Sequence, residues 1–355
     1  MALPDILDGL LRAHGPSGHE QLAFDAVRNA VGDVAEIETD SVGNLIARRR
    51  GEGPLLAFFA HLDVIGLAVA HIPDDALIPV HRLGSWRANV AYGQRVEIHT
   101  EAGLVYGVIA RKVEDDEKVE WEQLYVDIGA RDGEEARSLV APGDPLVLVA
   151  PPLMLASGRV TSRNLDNRAG VYVALEALRR LDAANVALVA GAQEELGHHG
   201  ARAAAYRLRP DVAIAIDVTY ATDVPAGDAN EAGDHRLGGG PAIFRGPAIT
   251  PRIFELLVEA ARAEGIEHTI ETGMKTFTDA DDTFASREGI PTGLISIPLR
   301  NMHRRSRSSS WATWRRAFAC SSRSRGDCSP VSTSAVELLE PGRWTGVAGA
   351  VRLRA

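Results

Sequence analysis

Apolar and polar positions follow two different periods along this chain, and the changes of period divide it. Leu3, Ile6, Leu7, Leu10 and Leu11, then Leu22, Ala26, Val27 and Ala30, recur at helical spacing. The run Gly15-Pro16-Ser17-Gly18-His19-Glu20 interrupts them and predicts two helices, with Ser17 the better cap for the second. Residues 34–48 read as two short strands around the turn at 41–44, and the apolar run 54–60 as a buried strand ending in His61-Leu62-Asp63. From about 68 to 158 the texture becomes one of alternating strands, such as 95–100 and 104–109, separated by glycine-containing turns. One candidate helical turn lies at 133–139, and the acidic segment 114–122 reads as an exposed loop.

The helical period returns at 165–181, where Val171, Ala174, Leu175, Leu178 and Leu181 share a face. The unbroken Ala/Val run 186–191 predicts a buried parallel strand, and Gln193-Glu194-Glu195-Leu196-Gly197 follows it. A strand at 211–216 ends at Asp217, an amphipathic helix occupies 251–264, and a last strand at 291–298 leads towards His303. The pattern predicts an α/β protein. A mixed-sheet α/β/α domain is built from 1–67 and 159–303, and a small β-barrel-like domain is inserted at 68–158.

Composition narrows the class. The 355 residues suffice for two domains, and 45% hydrophobic with 24% charged residues is ordinary for a soluble globular chain. No apolar run approaches the ~20 residues of a membrane helix, and the acidic, amphipathic N-terminus is unlike a secretory signal. A net charge of −10 disfavours nucleic acid as a partner. The two cysteines, Cys320 and Cys328, build no disulfide framework. The expectation is a cytoplasmic enzyme without nucleic-acid or membrane partners.

The candidate chemistry lies at the strand ends: His61, Asp63, Asp166, Glu194, Glu195, Asp217 and His303. Singly, each has an ordinary structural reading; Asp166, for example, could cap the helix it opens. Together they fall along one edge of one sheet, where open α/β sheets bind ligands. Two histidines and three carboxylates suit zinc, cobalt or manganese, and are too many for one tetrahedral zinc with an open position. They fit two metals if one carboxylate bridges. Such a pair polarises a carbonyl and activates water, and an adjacent free carboxylate can move the proton.

These residues sit in motifs that resemble the co-catalytic metallo-aminopeptidases, the glutamyl and deblocking aminopeptidases also called cellulase M. The matching stretches are 38–45 (Glu-Thr-Asp-Ser-Val-Gly-Asn-Leu), 61–66 (His-Leu-Asp-Val-Ile-Gly), 93–100, 165–170 (Leu-Asp-Asn-Arg-Ala-Gly), 193–197, 215–219 and 286–298, up to His303. The resemblance implies that His61 and Asp217 hold one metal, Glu195 and His303 the other, and that Asp166 bridges them through a cis bond to Asn167. It further implies Glu194 as general base and Asp63 as the carboxylate that orients His61. The cofactors would be two divalent ions, zinc or cobalt with manganese as a further candidate, and the substrates short peptides. The 68–158 insertion would be an oligomerisation domain, and the assembly a homo-oligomer such as a tetrahedral dodecamer.

Some positions depart from the family pattern. Val64 stands where Glu is usual and Asn167 where Asp is usual. His198-His199 replaces an apolar-basic pair, with solvent exposure the expectation and an extra metal contact the competing reading. Thr278-Asp279-Ala280 matches a family motif, beside Phe277 in place of glycine, and is expected to line the substrate pocket.

After His303 the texture changes. Residues 304–355 carry ten arginines against three acids and both cysteines. Reading each codon's last base with the next codon's first two, from Arg304 on, permits Pro-Val-Glu-Val-Val-Val-Leu-Gly-Asp-Val-Glu, the family's continuation. A one-base deletion after the His303 codon, as a sequencing error or a real frameshift, would account for the tail; a genuine basic tail is the competing reading. Two other functions compete with the aminopeptidase: a metal-binding scaffold impaired by this tail, and a glycoside hydrolase, which needs two carboxylates at a set spacing and usually no metal.

Overall fold

The computed structural model describes residues 3–112, 118–181, 184–225, 227–231 and 233–303, and the backbone of a strand at 307–310. Two amphipathic helices come first, α1 (Asp5–Arg12) and α2 (Phe24–Val31), followed by β1 (Glu36–Thr39), β2 (Leu45–Arg49) and β3 (Glu52–His61). Six strands then close into a barrel: β4 (Gly66–Val69), β5 (Ile78–Leu83), β6 (Arg95–Thr100), β7 (Gly103–Arg111), β8 (Leu124–Asp127) and β9 (Pro145–Leu148). Their order is β4-β5-β8-β7-β6-β9, every pairing is antiparallel, and α3 (Ala88–Ala91) and α4 (Gly133–Leu139) lie in the connections. Leu67, Ile78, Val96, Ile98, Ile109, Val126 and Leu146 fill the barrel with a core of its own.

The chain returns through β10 (Leu153–Leu155) and β11 (Arg159–Ser162) into α5 (Leu165–Arg180). Then come β12 (Ala184–Gly191), α6 (His199–Leu208), β13 (Val212–Tyr220), β14 (Ala242–Arg245), α7 (Pro251–Ala263), β15 (Thr269–Thr272), α8 (Asp279–Phe284), β16 (Thr292–Leu299) and β17 (Arg307–Ser310). Eight strands make one mixed sheet in the order β1-β2-β12-β3-β13-β16-β14-β15. Its centre, β12-β3-β13-β16, is parallel. All eight residues of β16 are buried, Thr292 and Ser296 included, as in a strand covered on both faces.

On one face of the sheet α1, α2, α5 and α7 pack Leu7, Leu10, Val27, Val171, Leu175 and Leu257 against Phe58, Leu188, Ile214 and Ile216. On the other, Ala201, Ala204 and Ala205 of α6 lie on Phe59, Val189 and Ala213, and Ala280 of α8 lies on Ala215 and Leu294. Phe58 and Phe59, both fully buried, contribute about 1.5–3 kcal/mol each. The result is the α/β/α arrangement with a mixed sheet and a barrel that the residue pattern predicts.

The elements missing from the sequence reading are α3, α6, α8, β11, β17, β14 and β15. The last two are four residues each, and α6 buries only small side chains, which carry little hydrophobic period. Ser17 is not a helix cap. Residues 15–17 bond to the Val64 backbone in both directions, which turns the Ser17 hydroxyl towards Asp63. The second helix is entered through a 3-10 turn, Glu20–Ala23, whose cap residue His19 makes no side-chain capping bond. Residues 114–117 of the expected acidic loop lie outside the described residues, and so does the reading-frame question at 304–355, apart from the β17 backbone. That strand pairs antiparallel with β11.

Candidate active site

Every strand-end residue singled out by the sequence arrives at the same edge of the sheet. His61 is the last residue of β3, Asp217 lies near the end of β13, and Glu194 and Glu195 form a 3-10 turn beyond β12. Asp166 opens α5, where its peptide bond to Asn167 is cis, and His303 follows β16. The parallel register explains the convergence, since Gly191 pairs with His61 across β12 and β3.

The geometry resolves into two triads that share Asp166. In the first, His61 Nε2 lies 3.0 Å from Asp166 Oδ1 and 3.7 Å from Asp217 Oδ1. In the second, His303 Nε2 lies 3.5 Å from Asp166 Oδ2 and 3.5 Å from Glu195 Oε2. Within each triad one donor atom per residue falls inside 4.8 Å of the others, so each can hold a metal ion. Asp166 offers one oxygen to each side.

Electrostatics favour a cation here. Asp166, Glu194 and Asp217 crowd around one imidazole, with Glu194 Oε2 3.7 Å from His61 Nε2. Burial, then repulsion from Glu194 and Asp166, pushes the Asp217 carboxyl well above its ordinary range. Burial alone would lower His61, but Glu194 and Asp217 raise it well above its usual value. Packed carboxylates strained in this way, with imidazoles between them, form a nitrogen-and-oxygen donor set suited to a divalent ion.

Asp63 holds the frame. Its Oδ1 accepts the Glu194 N–H at 3.0 Å, and its Oδ2 accepts the Glu195 N–H at 3.2 Å and the Ser17 hydroxyl at 2.6 Å. His61 Nδ1 sits 3.1 Å from the Asp63 carbonyl and 3.4 Å from its carboxylate. Despite burial, these bonds bring Asp63 below its ordinary range. Gln193, which precedes the glutamates, has a left-handed φ of 55°, and its N–H donates to Glu20 Oε1 at 3.0 Å. Asn44 joins the turn to its neighbours, accepting from Ala192 N–H and donating to the Gly200 carbonyl. Gly200 is required at this point, because a Cβ would stand 2.3 Å from Asn44 Oδ1.

Asn167 donates to the Ile216 carbonyl at 2.8 Å and accepts the Gly170 N–H at 3.0 Å. An amide can serve both partners, whereas a carboxylate can only accept. Val64 is buried and contributes its backbone to the Ser17 contact. His199 is exposed as expected. His198 is not: it turns inward between Asp282 and Glu194.

The sequence reading did not single out Asp279 as a site residue. It is 2% exposed, and neither of its oxygens has a hydrogen-bond partner among the described residues. Burial, then the Glu194 charge, pushes it up to about 7. Its motif pointed to the substrate pocket, but nothing in a six-residue, aspartate-rich helix marks one carboxylate as buried beside Glu194.

The family model for M42 glutamyl aminopeptidases matches residues 43–312. The chain belongs to that family. It is therefore a peptidase, and members of this family depend on metal ions. A lysyl aminopeptidase of Pyrococcus furiosus is 34% identical over 313 residues, covering 84% of this chain and 90% of that protein. The TET aminopeptidase of a marine-sediment thaumarchaeote superposes with a TM-score of 0.85 at 27% identity, over 96% of this chain and 98% of its own. The Pyrococcus horikoshii TET1 peptidase, described as assembling into a tetrahedron or a large octahedral shell, gives a TM-score of 0.78 at 29% identity, over 87% of this chain and 94% of its own. Among the described residues no helix is long and apolar enough to cross a membrane.

Proposed function

We propose that this M42 peptidase is a two-metal aminopeptidase that removes N-terminal residues from short peptides. The observation that carries the reading is the pair of triads sharing Asp166. His61 and Asp217 would hold one ion, Glu195 and His303 the other, and Asp166 would bridge them. Zinc and cobalt suit the donor set best, and manganese remains compatible. When bound, such a pair polarises the scissile carbonyl and lowers the pKa of a water.

The chain's own residues supply the rest. Glu194 Oε2 faces the shared space and accepts the proton of the attacking water, which it then delivers to the leaving amine nitrogen. Asp63 fixes the backbone of both glutamates and the imidazole of His61, so the base and the ligands keep one relative position. Asp279, pushed up to about 7 by burial and the Glu194 charge, can itself hold a proton on that side of the site.

The barrel at 66–148 supports assembly. Leu104, Tyr106 and Val108 alternate along β7 and are 47%, 61% and 46% exposed, an apolar stripe on its outer face. We infer that it belongs to an inserted oligomerisation domain at 68–158, within a discontinuous catalytic domain of 1–67 and 159–303, and that the chain works as a soluble cytoplasmic homo-oligomer. Y106E is expected to shift the light-scattering mass towards smaller species; an unchanged mass rules the stripe out as a contact.

The deciding experiment is hydrolysis of a panel of aminoacyl-nitroanilides before and after chelation, with zinc or cobalt added back. Activity lost in chelator and restored by metal is the expected result. Activity indifferent to chelator, or cleavage of a glycoside instead, overturns the reading.

A further inference from the structure

We propose that His198, fixed by Asp282, is a positioning residue for the Glu194 carboxylate. The inference rests on the reading of Glu194 as the base. His198 Nδ1 lies 2.9 Å from Asp282 Oδ2, and His198 Nε2 lies 3.4 Å from Glu194 Oε1. Both ring nitrogens therefore face carboxylates. A neutral imidazole has one N–H donor and can serve only one of them; the imidazolium serves both.

The support behind His198 is built from two helices. Its residue sits at the entrance of α6 with a left-handed φ of 55°. One turn further along α6, Arg202 donates to Asp282 Oδ1 at 2.9 Å through Nε and approaches it at 2.7 Å through Nη2. Asp282 belongs to α8, and the same helix carries Asp279, whose charge also acts on His198. Burial alone would lower His198, but bonding to Glu194, the charges of Glu194 and Asp279, and the bond to Asp282 raise it to about 9.

The consequence for Glu194 is an orientation. Its Oε1 is held by His198, and its Oε2 is left 3.7 Å from His61 Nε2, facing the two triads. Replacing His198 by an apolar side chain removes this contact from Oε1, and with it the group that fixes the rotation of the carboxylate. A displacement on the order of 1 Å at such a group costs about 100-fold in rate. A simple surface ion pair between His198 and Asp282 would have no such effect.

Two readouts test this. In kinetics, H198L is expected to lower kcat by about 10- to 100-fold, with KM and bound metal unchanged. H198Q, whose amide can still donate to Glu194, is expected to recover most of the loss. Adding D282N to H198L should cost nothing further. The second readout needs no activity. Diethyl pyrocarbonate acylates neutral imidazoles, so in metal-free protein at pH 7 His198 should be protected while the exposed His199 is labelled. E194Q and D282N should each expose His198 to labelling. If His198 in the unaltered protein is labelled as fast as His199, the proposal is overturned. An unaltered protein that cleaves no aminoacyl-nitroanilide sinks the peptidase mechanism, and labelling then decides the His198 contact alone. If the unaltered protein is active, E194Q is dead and H198L turns over normally, the positioning inference fails by itself.

Discussion

The two triads are built from different material. The first, His61, Asp166 and Asp217, is buried throughout and comes from β3, α5 and β13, elements anchored in the main core. The second, Asp166, Glu195 and His303, is half-buried; His303 is 31% exposed and stands on a connection after β16 with a left-handed φ of 53°. A ligand at the end of a buried strand is positioned by the packing of the whole sheet. A ligand on a connection is positioned by whatever holds that connection, here β16 before it and β17 after it, which pairs with β11. The inner pocket should be the rigid one and the outer pocket the one that varies.

The largest effect is expected where the two pockets meet. D166N removes the only residue common to both, so metal analysis should find both ions lost and activity at background. Retention of one tight ion would break the claim that Asp166 bridges. Next in size is the contrast between H61A and H303A. Each should lose an ion. In metal-free protein H61A leaves buried carboxylates without their imidazole and should lower stability by about 3 kcal/mol, whereas H303A, at a partly exposed position, should cost under about 1 kcal/mol. Urea unfolding in chelator measures both, and equal losses would erase the distinction between the pockets.

The smallest effect concerns the tail. A chain carrying the reframed sequence after His303 should bind the outer ion more tightly than the chain as written and leave the inner ion unaffected. Equal occupancy in the two chains would show that His303 does not depend on which sequence follows it. Resequencing the locus separates a sequencing error from a real frameshift.

The same contrast explains what could be read from sequence. His61 and Asp217 each follow an unbroken apolar run, so burial and strand end are both visible in one dimension, as at 54–60 before His61 and 212–216 before Asp217. Glu194 follows the run at 186–191 by the same logic, whereas Asp166 was legible as the acid that opens the amphipathic helix at 165–181. The supports were not legible, because they are contacts between distant segments. Ser17 reaches Asp63, Glu20 reaches the N–H of Gln193, Asn44 reaches Ala192, and Asp282 reaches His198. Each looks like an ordinary loop or helix polar residue until the fold joins it to its partner. Asp63 was legible as a residue, but that its carboxylate accepts both glutamate N–H groups was not. His198 shows the opposite error: a polar residue in a turn reads as solvated, yet α8 supplies a carboxylate that draws it inward.

The closed barrel has a consequence for growth. An open sheet ends in a row of unpaired N–H and C=O groups, which lets another chain add as a further strand without limit. A barrel of six strands, each bonded on both sides, has no such row. Copies that meet through its outer face must do so by side chains, such as the stripe on β7, whose position and angle are fixed. The barrel therefore removes strand addition as a route to unlimited growth, and the rotation built into the side-chain contact decides whether copies close into a finite particle or run on as an open helix.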